Sequence, residues 1–503
     1  MGLACGEAPD SPSAAGVQRA SLEVASLLEL TLPDARTNDF FGKAVALDGD
    51  QALVGVIGRD SAADAGDDVG SAQLFERAGT TWKATDELFP SERVPQAQLG
   101  WAVAIRGETA ALASATATAP AADTGDPDVG YAGLVYGFRK VAGRWAPQRL
   151  ELDASALVED RLFGYALAAL DDEIFVGSPS SGQPGSVNVY HWQNGAFELK
   201  QALERPASAE VADDGFGWSL AATDDTVLVG AAGNPGAAGF VYVYSRDKAG
   251  AWQLEQTLRQ KRHEETVGDY FGVTVSVEGD IALVGAAGNS DNNVAGGVYI
   301  FERADGKWGE DFTHELLPPT PSSFADGLAT AIGPERIWIG SLGMPNGAGA
   351  VQPVSLRNRE WQLDDQINPP TPDVEGFGLA LAASGRSVLI GSDGDARHEG
   401  AVYVATELDG ASCETDSDCS SGHCADGVCC DSACDSACFS CRASDKDEGP
   451  DGECGPVSNA VEPAEGDCAT ESAETCGQTG RCDGHGECAL YKKGTACAAA
   501  RCT

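Results

Sequence analysis

Cysteine, histidine and the carboxylates are the residues of this chain whose types and spacing could do chemistry. Of the 16 cysteines, one is Cys5 and the other fifteen lie between Cys413 and Cys502. The spacing begins Cys413-x5-Cys419-x4-Cys424-x4-Cys429-Cys430-x3-Cys434-x3-Cys438-x2-Cys441, followed by Cys454, Cys468, Cys476, Cys482, Cys488, Cys497 and Cys502. Cysteine at this density makes a disulfide framework, and disulfides persist only in oxidising compartments. The chain is therefore expected outside the cytoplasm, either extracellular or associated with an outer membrane. Zinc is the rival chemistry, since it takes four thiolate or imidazole ligands in a tetrahedron. Only Cys438-x2-Cys441 has clear spacing for it, and His423 and His485 show no paired pattern. Few apolar residues accompany these cysteines, so covalent bridges must replace a hydrophobic core. Sequence does not fix the pairing. Because fifteen is odd, either Cys5 pairs with a tail cysteine or the chain continues past Thr503, and the second is expected.

The six histidines are His191, His263, His314, His398, His423 and His485. None sits in a motif that would make it a base, a nucleophile's partner or a metal ligand, and HExxH, P-loop and G-x-S-x-G patterns are missing. Carboxylates are too abundant for any pair to stand out as a glycosidase dyad. No catalytic, cofactor-binding or metal-binding residue is assigned, and the chain is expected not to be an enzyme. Asp and Glu number 77 against 33 Lys and Arg, for a net charge of −44. A surface this acidic repels phosphate backbones and anionic membranes, which excludes nucleic-acid binding. Three acidic segments could capture a cation, namely Asp64-Ala65-Gly66-Asp67-Asp68, Asp123 to Asp128, and Asp291-Asn292-Asn293. Solvated acidic loops are the first expectation for them and weak Ca2+ binding the alternative. No run of about 18 apolar residues is present to span a membrane. The opening Met1-Gly2-Leu3-Ala4-Cys5-Gly6 is similar to the end of a lipoprotein signal, with Gly2 where Leu is usual. The expectation is a start upstream and a possible lipid anchor at Cys5, with an ordinary N-terminal cysteine as the alternative.

Most of the chain ahead of the cysteines repeats one pattern. The clearest copy reads Asp269-Tyr270-Phe271-Gly272, then VTVSVEGDIALVGAAG, then GGVYIFER, then Trp308. Its neighbour runs from Asp214-Gly215-Phe216-Gly217 to Trp252, and five more copies are anchored at Phe41-Gly42, Leu99-Gly100, Phe163-Gly164, Asp326-Gly327 and Phe377-Gly378. Successive anchor glycines are 58, 64, 53, 55, 55 and 51 residues apart. Each copy divides into four short runs rich in β-branched and aromatic residues, joined by Gly-containing turns. Such a period with four strands per copy predicts a propeller. The expected fold is all-β: a seven-bladed β-propeller of four-stranded blades, followed by a small disulfide-rich domain with little regular structure. Residues 1–25 are expected to be a linker, 26–409 the propeller and 410–503 the Cys-rich domain. The seventh copy lacks a fourth, Trp-containing run. The unassigned Ser26 to Leu32 is expected to supply it and close the ring, because closure removes an exposed sheet edge.

The phrases FFGKAVALDGDQALVG, YFGVTVSVEGDIALVGAAG and GGVYIFER resemble FG-GAP repeats, in the bacterial variant with a GD turn between its first two strands. The resemblance covers about residues 26–409. Similar repeats build the integrin α-subunit propeller, where they serve ligand recognition and often carry a calcium loop. Calcium needs six to eight oxygens. The corresponding turns here are short, reading Asp48-Gly49-Asp50, Asp224-Asp225 and Ser384-Gly385-Arg386, so the calcium sites are not carried over. The tail resembles Cys-rich segments that follow repeat domains in surface proteins of myxobacteria. Together these resemblances imply a binding or adhesion scaffold at the cell surface that takes a protein or glycan ligand on its rim loops. The alternatives are a passive envelope protein and, behind it, a propeller-based polysaccharide hydrolase or lyase.

Overall fold

The computed structural model describes residues 27–490, apart from 61–66, 118–132, 152–161, 180–184, 206–213, 234–238, 261–269, 288–295, 317–327, 342–347, 393–398, 407–422, 447–451, 459–467, 469–477 and some single positions or pairs. The sixth anchor, Asp326-Gly327, falls outside them, as do Cys5, Cys413, Cys419, Cys476, Cys497 and Cys502.

Seven antiparallel sheets form a ring, and all but the seventh pair their strands in chain order. In the fourth blade these strands are Phe216–Ala222, Thr226–Ala231, Phe240–Arg246 and Trp252–Leu258. The first strand of every blade touches the first strand of the next, and Ala380–Ser384 of the seventh touches Phe41–Asp48 of the first. The first strands therefore line the centre. Second strands such as Thr109–Ser114 and Thr226–Ala231 are buried along their whole length, because a neighbouring blade covers each face. This explains their unbroken apolar character. Fourth strands such as Thr81–Leu88 lie mostly exposed at the periphery.

Ring closure uses both ends of the repeat region. Leu28–Leu30 is the outer strand of the seventh blade and pairs antiparallel with Ala401–Thr406, placing Leu28 opposite Val404 and Leu30 opposite Val402. Leu30, Phe41, Leu389 and Val402 then share one buried cluster across the seam between the last blade and the first.

The anchor glycine has a specific mechanical duty. Lys43 N–H donates to Phe40 C=O at 3.4 Å, and Gly42 sits between them at φ +100°. That is the third position of a type II turn, which requires positive φ. The tight turn lets the preceding blade come close: a Cβ on Gly391 of the seventh blade would lie 2.2 Å from the Gly42 carbonyl oxygen. Equivalent contacts join Gly55 to Gly100, Gly177 to Gly217, Gly230 to Gly272 and Gly340 to Gly378. The repeat thus needs glycine twice, once to turn and once to be approached by the next blade. The second blade departs from this with Ala113, whose methyl faces Gly164.

The fifth blade also departs from the sequence expectation. Its fourth strand around Trp308 is broken into Lys307–Trp308, which pairs with Arg303 and Ala304, and His314–Leu316, which pairs with Val298 to Ile300. Between them Phe312 turns inward, 1% exposed, and packs edge-on against Tyr299 and Phe301. Burying that ring compensates for the lost ladder bonds.

In the tail, the described bridges are Cys430–Cys441, Cys434–Cys454, Cys438–Cys482 and Cys468–Cys488. Among the described residues of the tail, regular structure consists of two- to five-residue strands and one short 3-10 turn. Among the described residues no helix is long and apolar enough to cross a membrane.

Candidate functional site

Strand direction sorts every connection onto one of two rims. First and third strands run one way, second and fourth strands the other. Turns from first to second and from third to fourth strand therefore share one rim, and they are short: Asp48 is followed by Gln51, and Ala78 by Thr81. Connections from second to third strand, and from blade to blade, share the opposite rim. They are long, with 14 residues between Val56 and Ser71 and 19 between Ser114 and Leu134. The closing pair adds a further polarity. The chain enters Leu28 and leaves Thr406 at the turn rim. What precedes and follows the propeller thus joins it opposite the long loops.

On the turn rim, carboxylates are engaged by cations of the same chain. Asp50 pairs with Arg77 at 2.6 Å, and Asp280 with Arg303 at 2.7 Å. Arg303 also reaches Asp225 of the preceding blade at 3.3 Å. Each arginine lies over a tryptophan of its own blade, Arg77 over Trp82 at 5.8 Å and Arg303 over Trp308 at 5.3 Å. Asp48 accepts from Gly107 N–H of the second blade at 2.7 Å, and Gly49 N–H donates to Ser384 Oγ of the seventh at 2.9 Å. The GD turn is therefore a set of inter-blade and intra-blade tethers. Two of the turns set aside as calcium loops, Asp48-Gly49-Asp50 and Asp224-Asp225, have their carboxylates or carbonyls engaged in this way, with Asp224 C=O accepting from Arg246 Nε. Arg386 lies outside the described residues.

The deepest charge on this rim is Glu173, buried where the third blade meets the fourth. Its Oε1 accepts from Lys200 Nζ at 2.7 Å, and its Oε2 accepts from Arg246 Nη2 at 3.0 Å and Trp252 Nε1 at 3.1 Å. His191 Nδ1 is 3.6 Å away. The four partners come from separate strands, so no local motif announces them. Through Arg246 and Trp252 these bonds fasten the third blade to the fourth.

The loop rim differs. Asp39 and Asp214, two residues ahead of their anchor phenylalanines, are buried and hold the entrance of their first strands. Arg36 N–H donates to Asp39 Oδ2 at 2.8 Å, and Phe216 N–H to Asp214 Oδ1 at 3.2 Å. Tyr242 O–H and Arg205 also reach Asp214, at 3.1 and 3.2 Å. Burial pushes the Asp39 carboxyl above its ordinary range despite the nearby Arg36 and Arg59. Asp68 is raised by burial and by the neighbouring Asp60 and Asp67. Of the three acidic segments singled out for calcium, only Asp67 and Asp68 are described; Asp64 to Gly66, Asp123 to Asp128, and Asp291 to Asn293 lie outside.

Among the described residues, the groups spaced to hold a metal are cysteines alone: Cys430, Cys434, Cys441 and Cys454, and Cys438, Cys468 and Cys482. Each group consists of neighbouring bridges. The one zinc-like spacing, Cys438-x2-Cys441, is divided between the Cys438–Cys482 and Cys430–Cys441 bridges. Of the histidines, His314 Nδ1 is bonded to Thr313 Oγ1, and His485 N–H donates to Asp483. His423 C=O accepts from Cys430 N–H, while His263 and His398 lie outside the described residues.

A ring of seven such blades, with paired glycines at five of the described seams, defines a repeat propeller. The FG-GAP repeat family matches residues 27–75 and 263–301, and the chain carries FG-GAP repeats. No curated protein matches it. A solved structure of a protein from Lactobacillus plantarum is similar at 12% identity with a TM-score of 0.39, over 65% of this chain and 85% of that one. That likeness is too distant to bear on function.

Proposed function

We propose that the chain is a non-catalytic binding scaffold displayed outside the cytoplasm, attached by its turn rim and recognising a protein or glycan ligand with its loop rim. The observation that carries this reading is the segregation of the two rims. Long connections gather on one side, where a rigid scaffold usually presents its binding residues. The chain's N-terminal entry and its bridged tail join the other side. A tether at the turn rim, whether the tail or a lipid on Cys5, leaves the loop rim facing outward. The disulfides accord with an oxidising exterior.

The test is binding of the full chain to envelope fractions and a glycan array, with and without calcium. Replacing residues 118–132 by a Gly-Ser segment of equal length should reduce capture severalfold, whereas Asp280→Ala on the turn rim should leave it unchanged. Capture that survives the loop replacement but falls with Asp280→Ala would overturn the reading, as would the lack of any ligand at every salt and calcium level.

A further inference from the structure

One position of the repeat has a property that the family pattern does not explain. The residue after the anchor glycine closes the type II turn at the loop rim. In the second, third and fourth blades it is Trp101, Tyr165 and Trp218. These blades are consecutive, and their first strands touch, so the three aromatics form an arc at the mouth of the central channel. Tyr165 N–H donates to Leu162 C=O and Trp218 N–H to Gly215 C=O, both at 3.0 Å, which fixes the two turns alike. In the fourth blade the ladder skips from Phe216 to Ser219, so Trp218 occupies a bulge, a device that re-aims a side chain. The Tyr165 and Trp218 rings meet across the blade seam with centroids 4.7 Å apart. Trp101 is 38% exposed, unusual for a side chain that could be buried at little cost.

The chain treats six of its other seven tryptophans differently, Trp361 on an outer strand being the exception among the described residues. An arginine or lysine of the protein lies over the rings of Trp82, Trp145, Trp192, Trp252, Trp308 and Trp338. Among the described residues none lies over Trp101 or Trp218. A ring face attracts a cation through its quadrupole, and a net charge of −44 enriches cations near the surface while repelling anions. Neutral sugars also stack on aromatic faces, but the field gives them no advantage.

We infer that Trp101, Tyr165 and Trp218 form a binding site at the channel mouth for an organic ammonium cation carried by the ligand. The inference rests on the loop rim being the recognition face and names the chemistry read there. The probe is tetramethylammonium chloride, titrated into the full chain at low salt and followed by tryptophan fluorescence and calorimetry, with neopentyl alcohol as the neutral isostere. Saturable binding of the cation and none of the alcohol are expected. Trp101→Ala and Trp218→Ala should each weaken it by roughly fivefold, the usual worth of one such ring. Trp101→Phe should restore part of the affinity, and Trp361→Ala, on the fourth strand of the sixth blade, should change nothing. Thermal melts identify any variant that fails to fold, and Trp101→Phe then carries the comparison. Equal binding of the alcohol, no saturation, or wild-type affinity in both alanine variants overturns the site. If these fail while loop-dependent capture of envelope material or glycans persists, the cation is wrong and the recognition face stands. If both fail, the face itself is wrong.

Discussion

Arginines pair with carboxylates on both rims of the propeller, but the rims differ in how they treat their aromatic rings. On the turn rim Asp50, Asp225 and Asp280 face arginines that also lie over tryptophans, and Glu173 is enclosed by Lys200, Arg246 and Trp252. On the loop rim Asp60 pairs with Arg36 and Asp214 with Arg205, Asp60 and Asp67 both press on Asp68, and among the described residues no cation lies over Trp101 or Trp218. One rim has its charges satisfied internally, as suits a surface that bears load or carries a tether. The other leaves Trp101 and Trp218 without a cation above them among the described residues, as suits a surface that meets something else. The difference teaches that a nearly symmetric ring can be made two-sided by short and long connections alone.

The largest expected effect tests what both rims share. Gly391→Val places branched carbons where the Gly42 carbonyl already stands, in the one seam closed by strands distant in sequence. A loss of about 3 kcal/mol or more is expected, comparable to overpacking a core, read as a lower denaturant midpoint. An unchanged midpoint would mean that the glycine contact is not what closes the ring.

Next comes the turn rim alone. Glu173→Gln removes the charge that faces Lys200 and Arg246. Breaking a buried pair costs about 3–5 kcal/mol, but these two partners are 30% and 29% exposed, so solvent screening lowers the expectation to about 1–2 kcal/mol. Loop-rim binding should survive. Loss of binding with little loss of stability would break the division between the rims.

The smallest effect separates the rims by pH. Asp68 holds its proton more tightly folded than unfolded, because burial, Asp60 and Asp67 raise it above 3.8. Its favourable contribution is present at acid pH and is lost as pH rises through the folded value. Burial would also raise Asp225, but hydrogen bonds from Thr223 and Thr226, with Arg303, outweigh it and hold the carboxyl below 3.8. Its contribution is present at neutral pH and is lost as pH falls through that lower value. Asp68→Asn should raise the melting temperature slightly at pH 7, and Asp225→Asn should lower it. Both differences should shrink toward about pH 3. Shifts of the same sign at pH 7 would erase the contrast.

The ring was readable in the sequence because each copy repeats its glycines and its alternating apolar runs at a steady period. Phe41-Gly42 and Leu389-Ile390-Gly391 announce themselves locally, and geometry only explains why they are needed together. The broken fourth strand of the fifth blade was missed because Gly309-Glu310-Asp311, a turn-like interruption, lies inside the run around Trp308, and what the break accommodates depends on where Phe312 finds room. Glu173 escaped notice because its partners arrive from four strands spread over residues 191–252. Trp101, Tyr165 and Trp218 follow anchor glycines at a position that changes from copy to copy, with Lys43, Val273 and Leu379 in other blades, so the sequence does not single them out. Only the turn geometry sets them on one face. Bridges such as Cys438–Cys482 could not be deduced, because spacing alone allows many pairings.

The strand that completes the seventh blade has a mechanical consequence. Leu28–Leu30 and Ala401–Thr406 run antiparallel, and the chain beyond both departs from the same end. Tension applied between those two departures peels the strands apart one hydrogen-bonded pair at a time, starting at Leu28 and Val404, instead of shearing all three residue pairs together. Unfolding under load follows the barrier to that first step. A molecule held at one end alone never feels this force. One held at both ends would open its ring at the clasp long before any other blade yields.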